Sequence, residues 1–478
     1  MHTVEKIGGT SMSDYASVRD NIVMQSGHIN VPYQRVFVVS AYGGITNQLL
    51  EHKKSGRPGV YALFAASQDD CSWRDALSKL TDTVLSINAE LFGAGKLLES
   101  ANAFIKERLN DTERCLEDLQ NLCQHGHFSL KAHLATVREM LASIGEAHSA
   151  WNTATLLQRD GINARFVDLT GWRGNKLIEL DERIGEAFAD INLETELPIV
   201  TGYAHTKDGL MSSFDRGYSE MIFSRIAVLT DAREAVIHKE FHLSSADPRL
   251  VGEHKAVPIG RTNYDVADQL ANLGMEAIHP KAAKGLRQKN IPLRVKNTFE
   301  PEHTGTLITR DYVSDRPRVE IIAGCKGIYA LEVFDQDMSG TIHDYDRDIL
   351  AVIKRFKAHI VSKDVNANTI THYLSTNIKT VKRIRAELEK HYVDAEFNQR
   401  KVAIVSAIGS DMQVPGILAD TVRAIADKQV SILAMHQSMR QVDMQFIVNE
   451  EDYEDAVRGL HASLVEVHDH GRAITLAV

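Results

Sequence analysis

The chain has 478 residues, enough for about three domains at roughly 150 residues each. Hydrophobic residues make up 44% and charged residues 25%, which fits a globular protein and excludes collagen-like, coiled-coil and largely disordered chains. Lys and Arg total 54 against 64 Asp and Glu, a formal net charge of −10, which argues against nucleic acid or an anionic membrane as main partner.

The four cysteines, Cys71, Cys115, Cys123 and Cys325, include no CxxC pair, so neither a zinc ribbon nor a thioredoxin-like motif is present. Met1 to Ser13 lacks a basic segment followed by an apolar one, so no signal peptide is expected. No apolar run approaches the ~18 residues that span a bilayer. A reduced, cytoplasmic protein is expected.

In chain order, Thr3–Ile7 reads as a short strand ending in Gly8-Gly9. Ser13 is expected to cap a helix carrying Tyr15, Val18 and Ile22 at helical spacing. Arg35–Ala41 is a β-branched run of buried-strand type, closed by Gly43-Gly44. From about Val60 to Asp160 no Pro occurs, and charged and apolar residues alternate at helical period, which predicts a helical excursion from a sheet. Strands resume at Ala164–Leu169, Leu197–Ala204, Ala235–Lys239 and Pro292–Asn297, with helices at Tyr218–Leu229 and Val266–Leu273. That alternation predicts an α/β sheet, mostly parallel and covered on both faces, ending near Thr309.

The remainder repeats itself. One unit runs Tyr329–Phe334, Asp337-Met338, a helix through Ile349–Phe356, then strands His359–Asp364 and Thr369–Leu374. The other runs Val402–Ile408, Asp411-Met412, a helix Ile417–Asp427, then strands Val430–Met435 and Val442–Val448. Both read strand, helix, strand, strand, a ferredoxin-like half pattern twice over.

Two glycine turns carry the chemistry. Lys6-Ile7-Gly8-Gly9-Thr10-Ser11 follows the first strand, where glycines let the backbone approach an anion and Lys6 adds a charge. Ser40 to Asn47, containing Gly43-Gly44, follows the second. Ligands of open α/β sheets sit beyond the carboxyl ends of the strands, so two such turns predict one phosphate-binding crevice. GxxxxGK is absent, so this is no Walker A loop. His125 and His127 read as a solvated turn, Trp172 as a packing residue, and Lys379–Lys390 as a solvated helix face.

These motifs resemble those of the aspartate kinases. Lys6 to Ser11 is similar to their K-F-G-G-T-S signature, with Ile7 for Phe, and Ser40 to Asn47 to their S-A-x-x-G-x-T-N turn. Asp215-Arg216-Gly217-Tyr218-Ser219-Glu220 resembles G-R-G-G-S-D; Asp247-Pro248-Arg249 and His279-Pro280 match D-P-R and H-P. The repeat is similar to their paired ACT domains, and the likeness covers almost the whole chain.

The resemblance implies a three-layer α/β amino-acid-kinase catalytic domain over 1–312, followed by two ferredoxin-like ACT domains over 313–395 and 396–478. It implies phosphoryl transfer from ATP to the β-carboxylate of L-aspartate, with Mg2+ bound mainly through the nucleotide phosphates and no metal ligand named. By the same analogy Lys6, Gly8 and Gly9 would serve the transferred phosphoryl. Thr10, Ser11, Thr46, Glu146, Arg216, Ser219 and Glu220 would hold aspartate, with Glu146 on its ammonium and Arg216 on its α-carboxylate. Asp247, Arg249 and Glu276 would face the nucleotide.

Five positions depart from the family pattern: Tyr218 for Gly, Glu220 for Asp, Glu276 for Lys, and Lys239-Glu240 for Thr-Asp. Tyr218 therefore has to keep a negative φ. The departures resemble the aspartate kinases linked to ectoine synthesis. A homodimer or higher homo-oligomer is expected through the ACT pair. An amino-acid effector would sit at Asp335–Ser339 or at Ser410–Gln413. The rival expectation is a non-catalytic amino-acid sensor on an inactive kinase fold, favoured by Glu276 and disfavoured by Lys6, Glu146 and Arg216.

Overall fold

The computed structural model describes residues 1–24, 32–53, 55–66, 72–174, 176–214, 217–275 and 277–469. The chain divides into two compact units, one of Met1–His242 with Ile278–Arg310, the other of Leu243–Ala277 with Asp311–Val478. By its contacts the segment Leu243–Ala277 groups with the second unit. Its apolar residues supply the reason: Ala246, Leu250 and Val251 pack into a core with Val319, Ile322 and Leu460.

The strands are β1 (Thr3–Ile7), β2 (Arg35–Val39), β3 (Ala164–Val167), β4 (Leu197–Thr201), β5 (Glu234–Lys239), β6 (Arg261–Asn263), β7 (Leu293–Asn297) and β8 (Thr306–Thr309). Those of the first unit run in the order β3-β4-β2-β1-β5-β7-β8. All neighbours are parallel except β7 and β8. β1, β2 and β4 are buried throughout, as a parallel sheet covered on both faces requires. The helical excursion is present as Val60–Ala66, Ser72–Phe92, Lys96–Cys123 and Leu130–Arg159. The last of these is buried without a break from Leu141 to Ala150, so it is a core helix rather than a surface one.

Neighbouring residues of a strand point to opposite faces, and β1 uses this to bury two charges. On one face Glu5 takes Nε and Nη2 of Arg35 at 2.6 and 2.8 Å, and His238 Nε2 lies 2.8 Å away. Arg35 also donates to the carbonyls of Ile22 and Val23, in the π-helical turn Val18–Val23. Burial alone would raise the Glu5 pKa, but Arg35, with His238, holds it well below the usual carboxylate range. On the other face Lys6 meets the helix Tyr218–Leu229.

Ser13 does not cap the helix that follows it. Asp14 does, accepting from Ser17 N at 3.0 Å, and the Ser13 hydroxyl serves another turn. Tyr218 opens its helix with negative φ, as its side chain demands.

The second unit holds β9 (Ile321–Phe334), β10 (His359–Asn366), β11 (Thr369–Ser375), β12 (Glu396–Ile408), β13 (Ile432–Gln437) and β14 (Asp443–Asn449). They form one antiparallel sheet, ordered β10-β11-β9-β12-β14-β13. Each half reads strand, helix, strand, strand, and then a further helix, Ile378–His391 or Tyr453–Leu464. The first of these carries the expected solvated Lys379–Lys390 face, with Val381, Ile384 and Leu388 turned inward. The shared Asp-Met is explained by packing: Met338 and Met412 each plug the apolar core of their own half. Among the described residues no helix is long and apolar enough to cross a membrane.

Glu5→Ala should lower stability by about 3–5 kcal/mol, because it leaves a buried guanidinium without its carboxylate. Urea unfolding measures this, and adding Arg35→Met should recover most of the loss.

Candidate active site

The carboxyl ends of β1, β2, β4 and β5 lie side by side, and the turns that leave them build the site. The two glycine turns meet, as their sequences predict. A Cβ on Gly9 would sit 2.7 Å from the carbonyl oxygen of Ala41, so only glycine allows the approach. Gly43 N–H donates to Ser13 Oγ at 2.9 Å and ties the turns together. The turn after β4 closes in equally: a Cβ on Gly202 would lie 2.6 Å from the Val39 carbonyl oxygen and 3.3 Å from Glu146 Cγ.

Three charged side chains converge there. Lys6 Nζ is 3.6 Å from Glu220 Oε1. Glu220 Oε2 accepts the backbone N–H of His279 at 2.5 Å, at the start of the helix Pro280–Gln288. Burial would raise the Glu220 pKa, but Lys6 and Lys239 hold it below its ordinary value, so the pair is ionic. Glu146, from the middle of the helix Leu130–Arg159, is buried; Tyr218 donates to its Oε1 at 2.7 Å. Its Oε2 is buried with no hydrogen-bond partner. Burial pushes its pKa up to about 7, and the Tyr218 hydroxyl, the backbone N–H groups of Glu146 and Ala41 and the Lys6 charge offset only part of that. A buried carboxylate with one oxygen unsatisfied is arranged to receive a cationic donor.

The sequence-predicted residues divide as follows. Lys6, Gly8, Gly9, Thr10, Ser11, Thr46, Glu146, Ser219 and Glu220 all lie in the first unit. Asp247 and Arg249 lie in the second, where Asp247 caps the short helix Pro248–Val251 and pairs with exposed Arg249 at 2.8 Å. Arg216 and Glu276 lie outside the described residues.

One expectation is corrected: the Gly8 N–H is not free for an anion, because it extends the β1–β5 ladder by donating to the His238 carbonyl at 3.1 Å. Ser11 is fully buried and shares a hydrogen bond of 2.9 Å with Thr298 Oγ1. The exposed Thr10 hydroxyl donates to Glu240 at 3.4 Å. Among the described residues no group of three or more His, Cys, Asp or Glu is placed to hold a metal ion. Trp172 stacks its ring against the Arg108 guanidinium with its Nε1 donating to Asp111, and it also lines a cavity beside Arg108 and Asp168.

The sequence reading missed the hydroxyl of Tyr218 as a partner of Glu146, and it missed Glu139. Glu139 stands seven residues before Glu146, two turns along one helix face. Its carboxylate accepts Tyr203 OH at 2.7 Å and the N–H groups of Leu210, Met211 and Ser212 at 3.1 Å each. The spacing of the two glutamates was the available signal.

Comparison with known proteins places this geometry in company. Residues 1–297 match the model of the amino acid kinase family, and residues 405–464 match an ACT domain. The chain is 55% identical over 477 residues to the aspartate kinase Ask_Ect of Stutzerimonas stutzeri, covering 100% of both. It is 23% identical to an aspartokinase of Candida albicans, covering 97% of this chain and 90% of that one. In fold it is similar to E. coli aspartokinase III, solved with aspartate and ADP, with a TM-score of 0.71 and 19% identity over 97% of this chain and 100% of that one. The aspartate kinase of Clostridium acetobutylicum gives a TM-score of 0.70, also at 19% identity, over 97% and 100% of the two chains.

Gly9→Ala should cost about 1–3 kcal/mol, since the Ala41 carbonyl is backbone and has to move. Gly8→Ala meets its nearest atom only at 3.4 Å and should cost far less. Thermal unfolding of the two variants makes the comparison.

Proposed function

We infer, from a chain that belongs to the amino acid kinase family and within it to the aspartate kinases, that it transfers the γ-phosphoryl group of ATP to the β-carboxylate of L-aspartate, giving 4-phospho-L-aspartate and ADP. The observation that carries this reading is the full-length 55% identity to an aspartate kinase. The convergence of Lys6, Glu220 and Glu146 on the ends of the strands supports it.

The reaction asks little covalent work of the protein. The β-carboxylate is already ionised at neutral pH and needs no general base before it attacks the γ-phosphorus. What remains is positioning, and neutralising the charge on the phosphoryl oxygens. In this reading Lys6 supplies the positive charge to the phosphoryl in transit, and Glu220 keeps its ammonium aimed. Gly9 brings backbone close to the same group. Glu146 takes the substrate ammonium and Arg216 its α-carboxylate, where a bidentate fork fits. Thr46 and Ser219 line the substrate side. Magnesium would enter with the nucleotide and would supply charge neutralisation at its phosphates.

The likeness to Ask_Ect supports a place among the ectoine-linked aspartate kinases. β10 and β13 end the six-stranded sheet, and strand edges of this kind call for cover, which supports a homodimer or higher assembly through residues beyond about 313. The sensor alternative has no use for a buried Glu146 or for a Lys6–Glu220 pair held at the strand ends.

With ATP, magnesium and L-aspartate, hydroxylamine should trap an acyl phosphate as the hydroxamate; its absence would remove the assignment. Lys6→Ala should retain the fold by circular dichroism and lose on the order of 10²–10³ in kcat, as loss of one transition-state contact does.

A further inference from the structure

Tyr218 is buried at the first position of its helix, and its hydroxyl hydrogen is committed to Glu146 Oε1 at 2.7 Å. That leaves Oε2, also buried, as the oxygen without a partner. The tyrosine is itself held. Its ring meets Tyr203 edge to face, with centroids 5.6 Å apart at 78°, and the Tyr203 hydroxyl donates to Glu139. Glu139 in turn gathers three backbone N–H groups at the start of the helix Leu210–Phe214. A continuous set of contacts therefore runs from that turn through Glu139, Tyr203 and Tyr218 to Glu146. Both glutamates stand on one face of one helix, so the set is anchored on a rigid element.

We propose that Tyr218 is a positioning residue for Glu146: its hydroxyl occupies one carboxylate oxygen, so that Glu146 meets the ammonium group of the amino-acid substrate through Oε2 alone, in one fixed orientation. This rests on the reading of Glu146 as the ammonium acceptor. A carboxylate with both oxygens open turns about its terminal bond and accepts a donor from several directions. Here one oxygen is fixed by a phenol whose ring cannot swing away, and the other is left for the ligand.

The arrangement also carries a pH signature. Glu146 has to be ionised to pair with an ammonium group, and burial pushes its pKa up to about 7. The groups that face it are Lys6 from β1, Tyr218 from its helix, Tyr203 from the turn after β4, and the backbone N–H of Ala41 from the turn after β2. A hydrogen bond donated to the charged form favours that form, so the Tyr218 hydroxyl acts to lower the pKa. The sign follows: aspartate binding weakens as pH falls through the Glu146 pKa, and removing the hydroxyl moves that limb to higher pH.

The test is Tyr218→Phe, which keeps the ring and its contact with Tyr203, with the KM values for aspartate and ATP measured between pH 6 and 9. The KM for aspartate should rise on the order of tenfold near neutral pH, as for loss of a hydrogen bond to a charged group, with the KM for ATP held. The midpoint of the acid limb should move up. Unchanged aspartate KM and midpoint overturn the proposal, and so does an equal rise in both KM values with no shift in midpoint. Glu146→Gln separates the two claims. If it leaves the KM for aspartate untouched, the ammonium reading itself falls. If it raises that KM strongly while Tyr218→Phe does not, only the positioning role falls.

Discussion

Glu5 and Lys6 are neighbours in a central strand whose five residues are all buried, and a strand sends neighbours to opposite faces. Each charge therefore has to be answered on its own side of the sheet. Arg35 and His238 answer Glu5, and Glu220 answers Lys6. A buried charge without a partner is far more costly than a paired one is helpful, so the pairings restrict what the surrounding elements can do. They fix β2 and β5 on either side of β1. They bring the turn Val18–Val23 over one face, through its carbonyls, and the helix Tyr218–Leu229 over the other. Lys6 thus inherits its direction from the same alternation that buries the glutamate.

Much of this was legible before any coordinates. The β-branched runs marked β1, β2 and β5, and the Pro-free stretch marked the long helices, because both signals come from local backbone preference and burial. The two glycine turns were legible as a pair because glycine is the residue that close backbone approach requires. What escaped was set by distant partners. Ser13 has the right side chain to cap a helix, yet Asp14 takes that task because Gly43, thirty residues on, claims the Ser13 hydroxyl. Gly8 looked like an anion donor, but the β1–β5 ladder runs one residue further than the sequence pattern shows.

The surroundings of Glu146 illustrate the same limit. Tyr218 was read for its backbone, since a tyrosine in place of glycine restricts φ, and that restriction is met by a helix. Its hydroxyl was not read at all, because which carboxylate it reaches depends on how two helices face each other. Glu139 gave only its seven-residue spacing from Glu146 as a signal, since three backbone N–H groups from another segment converge on it only in the fold.

The second unit was legible as a repeat but not as a single sheet. β9 and β12 pair over most of their length, from Glu396 opposite Phe334 to Ile408 opposite Ile321. Gly324 allows this closeness, since a Cβ there would stand 2.5 Å from the Ile404 carbonyl oxygen. Two copies of one motif that share their central strands cannot be traded as modules. Deleting either copy would strip the ladder from the middle of the sheet and lay open a long unpaired strand edge, the kind of surface that seeds aggregation. Recombination can therefore add or remove the two copies only together, and drift in one is held in check by the geometry of the other.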